Sequence, residues 1–310
     1  MASEREDGRH ASHPRPRESL DRCALHAQLR GDPMLGTAFP ASRLLLVEQP
    51  GPWGRAGLPA SRFNRAAAAA LVARAGERGI RVLAIRRPGR TPRGVVRRWA
   101  LIDCRSDRET ARWGSYESDA ELLELPLDGS AGEPTQQLAY LVCTHSKHDT
   151  CCALRGRNVA MALHEVRPGL VWECSHVGGE RFAANVLVLP TGLLYGRVLP
   201  FAAAEFAAAA EAGEVVGALL RGRIGLPPSA QAALAFAYEH LAVRRVDAIR
   251  LVHAHRVRNA QAIVRLSGPH GLIDVTVLVE PHDGDRLTCD RPGLGRFLGY
   301  RPVSAAPVDE

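Results

Sequence analysis

Two stretches of the chain carry most of its metal-binding chemistry. The first is Cys143-Thr-His-Ser-Lys-His-Asp-Thr-Cys151-Cys152, and the second runs from Trp172 to Phe182 through Cys174, His176, Gly178, Gly179, Glu180 and Arg181. Thiolates are soft, charge-donating ligands, and imidazoles can replace some of them on iron–sulfur clusters or zinc. Eight residues separate Cys143 from Cys152, so one loop can wrap a small centre, and His176 follows Cys152 after room for a helix and a strand. Cys143 reads as a ligand, a buried small hydrophobe or a reactive thiol. Of Cys151 and Cys152, one reads as a ligand and the other as structural. Cys174 reads as core, ligand or resolving thiol. His145 and His148 read as solvated loop residues or as groups that adjust the centre's electrostatics. The amides of Gly178 and Gly179 can face negative charge. Arg181 can pair with Glu180, Glu173 or the centre, and Asn185 can brace the loop.

Elements that would position these residues follow from pattern. Residues 138–142 form a strand running into Cys143. Residues 153–166 form a helix closed by Arg167-Pro168-Gly169, and 170–174 a second strand. Residues 185–189 and 194–198 flank Pro190-Thr191-Gly192 as a hairpin. A helix over 201–212 follows. The earlier chain has a similar beginning: strand 43–48, helix 61–75 and strand 80–85. A Pro/Gly/Arg loop (86–94), strand 95–102 and a short strand over 122–125 come next. Residues 128–135 read as a linker or long turn. A helix lies around 229–240, and 260–267 and 272–278 alternate as strands.

The chain has 310 residues, 46% of them hydrophobic, which bounds it to one large domain or two ordinary ones. The fold class predicted is α/β: a thioredoxin-like ferredoxin domain preceded by a second α/β lobe, with mixed central sheets. The boundaries are a disordered tail over 1–22, an N-terminal lobe over 23–130, the ferredoxin domain with a C-terminal extension over 131–290, and a tail over 291–310. Seven cysteines without an export signal argue against a disulfide framework. No stretch suits a membrane span, so a cytoplasmic protein is expected. The net charge of +7 favours acidic partners. Basic residues without interleaved aromatics give no support for nucleic-acid binding.

Four segments carry a family resemblance: residues 36–54 (GTAFPASRLLLVEQPGPWG), 143–152 (CTHSKHDTCC), 172–197 (WECSHVGGERFAANVLVLPTGLLYGR) and 221–234 (RGRIGLPPSAQAAL). The chain resembles the sucrase/ferredoxin-like family over roughly residues 23–290. In that family two cysteines eight residues apart and a His-x-Gly-Gly-His motif ligate a [2Fe-2S] cluster. The resemblance implies Cys143, Cys152 and His176 as ligands and places Glu180 where the second histidine is expected. Cys174 or Glu180 then becomes the fourth ligand, with His145 and His148 as remote alternatives, or the cluster is labile or absent.

The function these readings imply is electron transfer or redox sensing, with an unknown redox protein or small-molecule electron donor as partner. A thiol-based thioredoxin-like oxidoreductase and a zinc-stabilised interaction module are the alternatives. The usual Cys-x-x-Cys of the former is missing. No dinucleotide-binding glycine motif or nucleophile elbow is present, and sucrose hydrolysis has no identifiable carboxylate pair. Enzymatic activity is therefore left unassigned.

Overall fold

The computed structural model describes residues 22–89, 95–257 and 260–308. The expected N-terminal tail, but for Arg22, and the tip of the basic loop, 90–94, lie outside the described residues. Most of the described chain builds one ten-stranded mixed sheet, in the order β10-β9-β8-β6-β7-β2-β1-β3-β4-β5.

One half of the sheet comes from β1 (Arg43–Glu48), α2 (Arg65–Gly76), β2 (Ile80–Arg86), β3 (Arg97–Asp103), β4 (Thr110–Tyr116), α3 (Glu121–Glu124) and β5 (Glu133–Thr135). It is preceded by the short helix α1 (Cys23–Leu29). The other half comes from β6 (Ala139–Cys143), α4 (Thr150–Val166), β7 (Val171–Cys174), β8 (Val186–Leu189), β9 (Leu193–Tyr195), α5 (Ala203–Glu211) and β10 (Leu220–Arg223). Each half opens with a parallel β-α-β unit, β1 with β2 and β6 with β7. From the central seam outward the two halves repeat one strand order. The seam itself is narrow: β2 and β7 pair antiparallel through Ile85 with Cys174 and Arg86 with Glu173. One sheet thus carries both expected lobes, and β5 closes the edge of the first half although it falls beyond residue 131.

Central strands are buried on both faces, which is why they read as continuous apolar runs rather than alternating ones. Leu44 and Leu46 join one core cluster while Leu45 and Val47 join another beneath α2, as the two-residue period of a strand requires. The first of these clusters crosses the seam and contains Cys143, Cys152 and Cys174. On the second half, α4 and α5 bury Val159, Leu163 and Phe206 against Tyr140, Val142 and Val186.

Helix α6 (Pro228–His240) then packs on a separate antiparallel sheet of β11 (Arg250–Val257), β12 (Gln261–Gly268), β13 (Gly271–Asp285) and β14 (Leu294–Pro307). Two expectations are corrected here. The segment read as a tail after residue 291 is largely β14, paired with β13 along most of its length. As an edge strand it tolerates Pro302 and its exposed arginines, which hid the pattern. Residues 122–125, read as a strand, are helical at 121–124; Glu121 in the first turn accepts hydrogen bonds from the Ser118 amide and hydroxyl.

Candidate metal centre

Strand β6 is buried throughout and delivers Cys143 to the carboxyl end of the sheet. Its parallel neighbour β7 is in register, Cys143 opposite Cys174, so the chain leaving β7 emerges at the same end and brings His176 there. Crevices at the carboxyl ends of parallel strands are where α/β folds place ligands. Between them, Asp149 caps α4 by accepting the Cys151 amide at 2.7 Å, and the first turn of the helix presents Cys152. Gly156 lets α4 approach β6: a Cβ there would lie 2.1 Å from the Cys143 carbonyl oxygen.

The result is a convergence of three ligand atoms. Cys143 Sγ and Cys152 Sγ each lie 3.9 Å from His176 Nδ1. All three atoms fall within 4.8 Å of one another, a set able to hold a metal ion. The hydrogen bond from Cys152, followed by that from His176, holds the Cys143 thiol well below its ordinary range despite burial. Burial opposes the His176 cation, but Cys143 and Glu180 outweigh it and push the pKa up to about 9.

Glu180 stands on the far side of the imidazole. Its carboxylate is 3.3 Å from His176 Nε2, while the thiols face Nδ1. This is the arrangement of a carboxylate that fixes the tautomer of a metal-binding histidine. Burial works against ionised Glu180, yet the His176 hydrogen bond leaves its pKa below the usual value. Cys174 is fully buried in the core cluster and is not part of the ligand triple. Burial, then the Cys143 charge, raises its thiol well above the ordinary range.

Of the loop histidines, His145 is buried and His148 is half-buried. His145 is 2% exposed; its Nδ1 accepts the His176 amide and its Nε2 donates to the Gly54 carbonyl. His148 stacks on His176 with centroids 3.6 Å apart, and its buried Nδ1 has no hydrogen-bond partner among the described residues. His148, His176 and Glu180 form a second set with ligand spacing.

Behind the centre lies Arg221, 1% exposed. It donates to the Gly178 carbonyl, Asn185 Oδ1, and both the hydroxyl and carbonyl of Thr37. Asn185 in turn donates to the Gly179 carbonyl, and its own carbonyl accepts the Cys143 amide. Burial pushes the Arg221 pKa down to about 9, and among the described residues it has no carboxylate partner. The nearby thiolates and Glu180 are the negative charges that favour its ionised form. Arg181, expected to pair with Glu180, Glu173 or the centre, instead lies 3.4 Å from Asp32. Glu173 is held by Arg86 at 2.6 Å and by the Thr144 hydroxyl at 3.0 Å.

A third set was not legible in the sequence. Cys23, Asp149, Cys151 and Cys289 also converge within ligand distance of one another. Adjacent Cys151 and Cys152 were the only hint, since each was expected to have a different role.

The sucrase/ferredoxin-like family model matches residues 35–222, the ten-stranded sheet. No curated protein matches the chain. Among solved structures, a thioredoxin-like [2Fe-2S] ferredoxin from Aquifex aeolicus is similar at 24% identity and a TM-score of 0.26, covering 30% of this chain and 97% of that one. A cysteine-to-serine variant of that ferredoxin is similar at 20% identity and a TM-score of 0.24, with 27% and 97% covered. The matched region contains both β-α-β units and the Cys143, Cys152 and His176 triple, and on this match the chain belongs to the sucrase/ferredoxin-like family.

Proposed function

We propose that Cys143, Cys152 and His176 hold a single tetrahedral metal ion, with zinc the best chemical match, and that this ion stabilises the carboxyl end of the sheet as a surface for protein interaction. The observation that supports it is the spacing: both sulfurs lie 3.9 Å from one imidazole nitrogen. With Zn–S at about 2.3 Å and Zn–N at about 2.0–2.1 Å, tetrahedral ligands sit about 3.5–3.8 Å apart. A two-iron cluster holds the ligands of its two metals farther apart. Glu180, at the position of the family's second histidine, turns its carboxylate to the other side of His176, so either centre would take its fourth donor from elsewhere. Zinc would screen the thiolate charge beside Arg221. The surplus of positive charge, +7 overall, suits an acidic protein partner. No helix among the described residues is long and apolar enough to cross a membrane.

One observation favours a second reading, a [2Fe-2S] electron-transfer centre. His148 offers an unpartnered buried Nδ1 beside His176. Two thiolates and two imidazoles are a known ligand set for such clusters. When bound, the cluster would supply one-electron exchange, with Arg221 balancing its charge.

Metal and acid-labile sulfide analysis of the anaerobically purified full-length protein separates the two. Zinc without sulfide, reduced by one equivalent in Cys152→Ser, supports the single-ion reading. Iron with sulfide, and a reduced-state paramagnetic signal altered in His148→Ala, overturns it in favour of the cluster.

A further inference from the structure

We infer that Cys23, Cys151, Cys289 and Asp149 form a second, structural zinc site, distinct from the centre around His176. The three sulfurs make a nearly equilateral triangle: Cys23 to Cys151 is 3.6 Å, Cys151 to Cys289 is 3.4 Å, and Cys289 to Cys23 is 3.5 Å. Tetrahedral thiolates on zinc stand about 3.8 Å apart by the same geometry. Both carboxylate oxygens of Asp149 lie 3.7 Å from Cys23 Sγ, and a carboxylate oxygen lies within 4.8 Å of all three sulfurs.

Equal edges matter. A disulfide would single out one pair and leave the third sulfur displaced, and all three cysteines are free. A core hydrophobe role explains the site poorly, because a buried carboxylate sits among the sulfurs: Asp149 is 1% exposed, Cys23 0% and Cys151 1%. Burying a carboxylate without a counter-charge is costly. No cation is paired with Asp149 among the described residues; its oxygens accept the amides of Cys151 and Cys289 and meet the thiols of Cys23 and Cys289. A dication supplies the missing charge.

The surroundings suit metal thiolates. The backbone amides of Cys23 and Ala24 favour the thiolate forms of Cys289 and Cys151, respectively. Cys289 is only partly buried, which gives an ion a way in. The four ligands come from three places: α1, the cap and first turn of α4, and the connection between β13 and β14. Cys23 and Cys289 both lie outside the region that the family model matches. The site therefore ties the small sheet and the N-terminal helix onto the start of α4, whose next residue is Cys152.

Three thiolates and one carboxylate favour zinc over harder dications. Binding releases the thiol protons to solvent and changes no oxidation state.

The test is zinc stoichiometry of the reduced, full-length protein, in a background of Cys143→Ser with Cys152→Ser so that the first centre is silent. One zinc should remain there and should be lost on adding Cys289→Ala at a partly exposed position. Cobalt in place of zinc should give intense thiolate charge-transfer absorption in the same background. Asp149→Asn, which preserves the helix cap, should retain that absorption but weaken zinc binding at least tenfold. A metal-free background variant, zinc indifferent to Cys289→Ala, or a mass two hydrogen atoms lighter from a disulfide would each overturn the site. Loss of zinc from the Cys152→Ser centre has no bearing on these outcomes.

Discussion

Cys151 and Cys152 are neighbours in the chain whose thiols enter different clusters. Cys152 Sγ lies 3.9 Å from His176 Nδ1, and Cys151 Sγ lies 3.4 Å from Cys289 Sγ. Successive residues of a helix diverge by about 100° around its axis at 3.6 residues per turn. Two cysteines in the first turn of α4 can therefore serve two sites on either side of one helix end.

Glu180→Gln should weaken zinc binding at the His176 centre by about 10–100-fold, the usual loss when the outer partner of a metal-bound histidine is removed. Competition with a chromophoric chelator measures it. An unchanged affinity would show that Glu180 does not orient the ring.

Gly156→Ala should destabilise the fold by about 1–3 kcal/mol, because the new methyl would meet the Cys143 carbonyl at 2.1 Å and force α4 away from β6. Urea unfolding gives the number. Zinc affinity should fall with it, since the same displacement separates Cys152 from Cys143.

Arg221→Met should cost about 3–5 kcal/mol, leaving buried acceptors at Thr37, Gly178 and Asn185 and an uncompensated anionic centre. Arg221→Lys should recover only part, because an ammonium cannot reproduce the guanidinium fork. Equal stability of the lysine variant and the native protein would refute the fork's role.

Glu48→Gln tests a buried carboxyl far from either cluster. Glu48 is 3% exposed and accepts the Arg98 amide. Burial raises its pKa above the ordinary value, although Arg98, Arg87 and Arg97 pull the other way. A carboxyl with a raised folded-state pKa binds its proton more tightly when folded, so its ionisation costs stability at neutral pH. The glutamine variant should be more stable at pH 7, and its advantage should shrink as acidification protonates native Glu48. Denaturant midpoints across that range provide the check.

What the sequence revealed depended on how local the signal was. Cys143, Cys152 and His176 were legible because a buried strand, a loop and a helix start occupy one short stretch, and the family motif singled out these positions. The role of Glu180 was not, since spacing cannot tell which ring nitrogen a carboxylate meets. The Cys23, Asp149, Cys151 and Cys289 cluster left almost no trace: Cys23 and Cys289 stand 128 and 138 positions from Cys151. Strand β4 was missed because Gly114 interrupts it; the Trp99 indole occupies the space where a side chain would be. The exposed face and prolines of β14 concealed it in the same way.

The distance along the chain between Cys23 and Cys289 sets an order of assembly. During synthesis from the N-terminus, Cys143, Cys152 and His176 can meet once β7 has formed. The other three sulfurs cannot close their triangle until the last hairpin has been made. Cys23 and Cys151 must wait as reduced thiols through the addition of more than a hundred residues, and the completed triangle marks a chain in which Cys289 has reached the start of α4.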